Sequence, residues 1–441
     1  MALFVLKGCI QEAPNETAAK AGTEANESKP ETPAAKPSTT PDEPKTPKKL
    51  VVEETPATPP FVPVIDEPET VPKLLSQDQI AEGWISLFDG YSTFGWEQQF
   101  ADRWHVEDEQ IVCDSEQQPS ILTTAVPWTD FELTLEVFLE AGGNSGLFLR
   151  CVNNPPTNPT EDCYELNLCD TNEKFKTGGI VGRAQPIAEA KTDGAWHRVK
   201  VICEGNWIQA WLDDVHMTDF HDESPRPLLS GRIGLQQNGG TVRFRNVALR
   251  PLGTKSLFNG QSLSGWNVVP ESKSEFAVEE ETIHVSNGPG FLETEGTYEN
   301  FVLQADYRIN GDGLNSGIFF RAMKGTGENP SGGYEFQVHN AYDNGDPRQP
   351  TDHGSGAIFR RVKARRVVSQ DREWNTIALN ASGNRFATWV NGYPTAVWED
   401  DRKPDENPRR GRRDEAGQLS LQGHDPTTDL NFRNLRIAEH P

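Results

Sequence analysis

From about residue 79 onward the chain is built of short stretches in which apolar and polar residues alternate. Phe131-Glu132-Leu133-Thr134-Leu135-Glu136-Val137 places every second side chain in the apolar class, and Phe301-Val302-Leu303-Gln304-Ala305-Asp306-Tyr307 keeps the same spacing. A period of two puts one set of side chains on a buried face of a strand and the other on its opposite face. Turn-forming groups such as Gly142-Gly143-Asn144, Asn310-Gly311-Asp312-Gly313 and Asn391-Gly392 separate these stretches. No segment of useful length carries a helical period. Many short alternating strands predict an all-β fold of two-sheet, jelly-roll sandwiches.

The pattern repeats. Leu87-Phe88-Asp89-Gly90 with Gly95-Trp96 returns as Leu257-Phe258-Asn259-Gly260 with Gly265-Trp266. Asn144-Ser145-Gly146-Leu147-Phe148-Leu149-Arg150 returns as Asn315-Ser316-Gly317-Ile318-Phe319-Phe320-Arg321, and Tyr164-Glu165 as Tyr334-Glu335. Trp196 then pairs with Trp374, Trp211 with Trp389, Leu235-Gln236 with Leu421-Gln422, and Phe244-Arg245-Asn246 with Phe432-Arg433-Asn434. So long a period is a whole domain and not a solenoid unit. The expected domains are residues 79–252 and 255–441.

Residues 11–78 break the alternation. They are rich in Pro, Thr, Glu, Ala and Lys, as in Lys29-Pro30-Glu31-Thr32-Pro33, and cannot bury enough apolar surface to offset the entropy of ordering. A disordered, extended stalk is expected there. Before it, residues 1–10 hold a short apolar run ending in Lys7-Gly8-Cys9, which resembles the end of a bacterial lipoprotein signal with Cys9 as the lipidated residue. The expected location is extracytoplasmic, as a periplasmic or cell-surface lipoprotein whose only contact with the membrane is that anchor. No stretch has the roughly 20 apolar residues of a spanning helix. A formal net charge of −24 repels phosphate backbones, so no nucleic-acid partner is expected. The basic group Lys363, Arg365 and Arg366, with Arg409, Arg410, Arg412 and Arg413, reads as a solvated face.

Taken together, the Leu-Phe-[Asp/Asn]-Gly opening, the Asn-Ser-Gly strand ending in Arg, the Tyr-Glu strand and the closing Leu-Gln and Phe-Arg-Asn groups resemble the 3-keto-disaccharide hydrolase domain family, in two copies. That resemblance implies two tandem concanavalin A-like jelly rolls. It also implies cleavage of glycosides already oxidised at C3, either 3-keto-disaccharides or 3-keto-glucosides. A ketone at C3 acidifies the C2 proton, so a base can remove it, the C1 substituent can leave, and water can add.

Strand parity selects the residues for such a site. Glu335, Gln337 and His339 share one face of their strand, and Arg321, Trp389 with Asn391, and Gln422 with His424 are read as lining the same concave sheet. Glu335 or His424 is the candidate base and Arg321 the candidate electrophile. Gln337, His339, Trp389, Asn391 and Gln422 are the candidate sugar-binding groups, Trp389 as an apolar platform. The first copy offers Arg150, Glu165, Asn167, Asp170, Trp211 and Gln236. It has Asn238 where the second has His424 and Cys169 where the second has His339, so the second copy is the expected active one.

A two-carboxylate glycosidase is disfavoured, because the partner positions are the neutral amides Gln337 and Asn167. A non-catalytic carbohydrate-binding module is the alternative from another class. Cysteines other than Cys9 all fall in the first domain, at 113, 151, 163, 169 and 203. Five of them allow at most two disulfides and leave one thiol. No zinc-type spacing is present. No cofactor is evident, and an oxygen-ligated Ca²⁺ remains open.

Overall fold

The computed structural model describes residues 67–100, 103–114, 118–154, 159–192, 194–405, 407 and 409–440. Cys9 and residues 11–66 of the expected stalk lie outside them. The described residues form two halves of the same two-layered pattern, each an eight-stranded sheet stacked on a five-stranded one, and every strand pair is antiparallel. In the first repeat the five-stranded sheet runs in the order Trp96–Gln99, Ser120–Thr124, Arg232–Gly239, Asn144–Cys151, Tyr164–Leu168. In the second it runs Trp266–Val268, Gly290–Thr294, Gln418–Gly423, Ser316–Ala322, Tyr334–Val338. The topological order is the same.

Alternation builds each core. Phe131, Leu133, Leu135, Val137 and Leu139 are buried along the strand Phe131–Leu139, while the residues between them are half-buried. They meet Leu147, Leu149, Tyr164, Leu166 and Leu168 of the facing sheet in one cluster. Each such side chain is worth about 2 kcal/mol when removed from water. The polar members of the five-stranded sheets therefore point away from the core, onto an outer face.

The two repeats pack on each other through the eight-stranded sheet of the second. Its Val302, Ala378, Ala387 and Trp389 join the apolar cluster of the first repeat. The Trp389 ring lies 5.7 Å from that of Trp128, and its Nε1 donates to the Ser86 carbonyl at 2.8 Å. Asn380 Nδ2 donates to the Pro127 carbonyl at 2.8 Å.

Residues 67–78, assigned by composition to the stalk, dock onto both repeats. Ser76 closes a capping box on the short helix Gln77–Ala81, and Leu75, Ile80 and Trp84 pack on Ala248. Glu67 pairs with Arg365, which also holds Asp89 at 2.8 Å, while Arg366 donates to the carbonyls of Pro68 and Glu69. Arg365 and Arg366 are thus clamped under the N-terminal segment. The solvated face expected for them fails because charge runs carry no information about a segment that folds back over them.

Candidate functional site

The outer face of the second five-stranded sheet holds the strongest cluster of chemistry. On the strand Tyr334–Val338, Tyr334, Phe336 and Val338 enter the core, which leaves Glu335 and Gln337 outside. Gly317 stands opposite Gln337, and Phe319 opposite Glu335. A Cβ at Gly317 would come 2.7 Å from Glu335 Oε1, so the glycine lets the carboxyl lie across the neighbouring strand. Ser420 and Gln422 project beside them from the strand Gln418–Gly423, whose Leu419 and Leu421 face the core.

Three polar atoms of this floor, Gln337 Oε1, Gln422 Oε1 and Ser420 Oγ, are buried without a hydrogen-bond partner. Buried polar atoms are almost always satisfied, so three on one face mark where hydroxyls of a polar ligand would bond. Gln337 is held from its other end, its Nε2 donating to Asp352 O at 2.9 Å and Oδ2 at 3.1 Å. Glu335 is 7% exposed. Burial pushes its carboxyl up to about 7, with Asp352 pushing the same way and the guanidinium groups of Arg409 and Arg360 opposing. Arg360 follows Phe359, whose N–H donates to the Glu335 carbonyl. Arg409 lies over Phe319, 5.6 Å from its ring centre. His353 packs edge-on against Phe359 at 4.9 Å, and burial lowers its pKa.

The first repeat reproduces the floor and changes the rim. Glu165 is 8% exposed, and burial lifts its carboxyl to about 7, opposed by a hydrogen bond with Gln236. Gly146 underlies it, and Gln236 Oε1 is buried without a partner. The rim arginine is missing: Val181 N–H bonds the Glu165 carbonyl as Phe359 does that of Glu335, and the next residue is Gly182 instead of Arg360. Gly234 takes the place of Ser420. Among the described residues no charged group bears on Glu165. Nor do three His, Cys, Asp or Glu side chains gather among the described residues so as to hold a metal ion.

A family model, the 3-keto-alpha-glucoside-1,2-lyase-like domain, matches residues 83–250 and again residues 253–438. The chain belongs to this family, twice over. None of the curated proteins matches the chain. Similar solved structures include a proposed glycosyl hydrolase from Parabacteroides distasonis ATCC 8503, at 22% identity over 40% of this chain and 98% of that one, with a TM-score of 0.37. The carbohydrate-binding module CBM66 from Bacillus subtilis matches at 21% identity over 35% of this chain and 95% of that one, with a TM-score of 0.27.

Within the lyase-like repeats, the structure gathers Glu335, Gln337 and Gln422 on one floor, and Glu165 and Gln236 on the other. Arg321 is not with them. It is fully buried and donates to the carbonyls of Glu299, Gly383 and Arg413 and to Asn300 Oδ1. Arg150 likewise clamps the carbonyls of Thr129, Gly205 and Leu228 and the Asp130 carboxylate. Parity fails for both because each sits in a bulge, at φ 55 for Arg150 and 45 for Arg321, with a register shift alongside. One extra residue turns the side chain off the expected face.

His424 lies past the end of its strand, 42% exposed and paired with Asp425 at 2.9 Å, so it is no buried base beside Glu335. His339 bonds the Leu314 carbonyl and Thr351 Oγ1, which positions the segment carrying Asp352. Trp389 and Trp211 belong to the eight-stranded sheets, Trp389 between the repeats and Trp211 stacked on His216 at 4.7 Å beneath Lys200. Asn391 caps a hairpin turn at φ 50. Asn167 is tied to the Phe175 carbonyl and Asp170 to Thr177 and Thr192, both holding loops. Asp352, Arg360, Arg409, His353 and Ser420 went unnoticed in the sequence as site residues. Ser420 and Arg360 had a readable signal: Ser420 directly precedes the repeated Leu421-Gln422 where Gly234 precedes Leu235-Gln236, and Arg360 stands two residues after Ile358 where Gly182 stands two after Ile180.

Proposed function

We propose that the second repeat cleaves glycosides oxidised at C3, with Glu335 as the base. The observation that carries this is a nearly buried carboxyl with its pKa lifted to about 7, set among unpartnered amide and hydroxyl oxygens. A base with that pKa is half-ionised at neutral pH and retains driving force for proton abstraction. Glu335 takes the C2 proton, and the electron pair moves toward the C3 ketone to form an enolate. Arg360 and Arg409 offset that oxyanion's charge. The enolate collapses to expel the C1 substituent, whose departing oxygen takes up the proton held by Glu335. Water then adds across the resulting C1–C2 double bond, its hydroxyl to C1 and its proton to C2.

The first repeat reads as a carbohydrate-binding copy, because Glu165 has the floor without a cation to receive the oxyanion. The N-terminal run ending at Cys9 supports an extracytoplasmic, lipid-anchored setting for this chemistry. Proton exchange is the test. In D₂O the full chain should exchange the C2 hydrogen of a 3-keto-glucoside and release its aglycone, while leaving the parent glucoside untouched. Cleavage of the parent glucoside without C2 exchange would overturn the reading.

A further inference from the structure

The outer face of the first repeat carries a feature that the second lacks. Strand Asn144–Cys151 pairs with Tyr164–Leu168, Leu149 standing opposite Tyr164. The bulged Arg150 then brings Cys151 opposite Cys163. Pairing continues one step beyond, where Val152 N–H donates to the Asp162 carbonyl at 2.8 Å. Both side chains leave the sheet on its outer face and pack together with Ile121 and Phe148, and the two thiols are in hydrogen-bond contact.

The second repeat supplies an internal control. Met323 N–H donates to the Gly332 carbonyl at 2.7 Å, and the cross-strand pair there is Ala322 with Gly333. A Cβ at Gly333 would lie 2.7 Å from the Ala322 Cα, so the backbones at this pair approach closely, as directly opposed antiparallel residues and disulfide-bonded residues both do. Two cysteines stand in one copy and none in the other. The other cysteines among the described residues lie elsewhere: Cys113 and Cys203 in the sandwich core, and Cys169 beside Thr171.

We propose that Cys151 and Cys163 are a disulfide-forming pair that staples the strands Asn144–Cys151 and Tyr164–Leu168 together next to Glu165. The two thiols lose two protons and two electrons to a thiol–disulfide oxidoreductase or an oxidised low-molecular-weight disulfide, which is reduced to the dithiol. Both residues are buried, so the bond forms before the fold closes over it. Only the supply of oxidant rests on the extracytoplasmic reading. The staple would fix one wall of the cleft between the repeats, a space of about 380 Å³ lined by Cys151, Val152, Arg232, Arg385 and His440.

The full chain is refolded with oxidised and reduced glutathione, denatured, alkylated and digested. The expected product is one cross-linked peptide joining Cys151 to Cys163, about 2 Da lighter than the two thiol peptides together, with Cys113, Cys169 and Cys203 alkylated. Reductant should lower the melting temperature of the wild type and leave that of the double variant Cys151→Ala, Cys163→Gly unmoved. Alkylation of both residues after oxidative refolding, or a cross-link to a different cysteine, overturns the pair. The same digest on protein recovered from the native host separates the two readings. If the bond forms on refolding but not there, the extracytoplasmic setting is wrong and the pairing stands.

Discussion

Glu165 and Glu335 occupy the same place in two copies of one fold, with nearly the same exposure and with carboxyls lifted by burial to about the same value. Each rests over a glycine and beside a glutamine whose amide oxygen is unsatisfied. They differ in what surrounds them. Glu335 has Arg360, Arg409 and Asp352 acting on it, whereas Glu165 has only Gln236. The floor is a property of the sheet, copied with the strands, while the rim comes from loops that have diverged, including the longer segment that carries Asp352. Strands position a base, and loops decide whether there is anything for it to do.

The tryptophans read as matching platforms give the largest predicted contrast. Trp389→Ala removes a buried ring and its bond to the Ser86 carbonyl, and should cost about 3–5 kcal/mol in denaturant unfolding. Trp211→Ala, at a half-buried ring, should cost about 1 kcal/mol. Equal losses would mean that the repeats do not pack through Trp389.

The next contrast is catalytic. Glu335→Gln should lower kcat/KM on a 3-keto-glucoside by about 10²-fold or more, and Glu165→Gln by less than about threefold on the same scale. A larger loss from Glu165→Gln would transfer the activity to the first repeat. His424→Ala belongs with the small effects, since its imidazole is spent on Asp425.

Where the two copies should agree is in the pH dependence of stability. A carboxyl titrating at about 7 when folded, against an ordinary 4.5, holds its proton more tightly in the fold. Its contribution is therefore full below pH 4.5 and is lost as pH rises through 7. Glu335→Gln and Glu165→Gln should each stabilise the protein at pH 8 by on the order of 2 kcal/mol, and the gain should vanish near pH 4.5. Urea titrations at the two pH values check this. A gain confined to one variant would show that the two floors are not alike.

The residues explain how far the sequence could be read. Alternation in 131–137 and 301–307 identifies the strands because a half-buried sheet imposes a period of two. The same rule puts Glu335 and Gln337 opposite Tyr334 and Phe336, as the structure has them. It fails at Arg150 and Arg321, where one bulged residue reverses parity and no local signal announces the bulge. It fails differently at Trp389 and Trp211: parity separates the faces of one strand and cannot say which of two sheets that strand joins. Asp352 and Arg360 reach the site through loop conformations at φ 45 and 59, which no periodicity encodes. The docking of Glu67 on Arg365 depends on a pairing some 300 residues apart in the chain.

The smallest predicted effect tests the rim most directly. Arg360 and Gly182 follow equivalent residues in the two copies and have similar left-handed backbones, φ 59 and φ 74. Arg360→Gly therefore converts the rim of the second repeat toward that of the first and relieves backbone strain at the same position. Stability should hold or rise slightly, while kcat/KM falls about tenfold, as expected for one charge at the mouth of a site where Arg409 remains. Loss of the guanidinium also removes one group that holds the Glu335 carboxyl down, so the acid limb of the pH–kcat/KM profile should move to higher pH. An unchanged profile with a tenfold loss would make Arg360 a substrate contact without influence on the base, and an unchanged rate would leave Arg409 alone to meet the oxyanion.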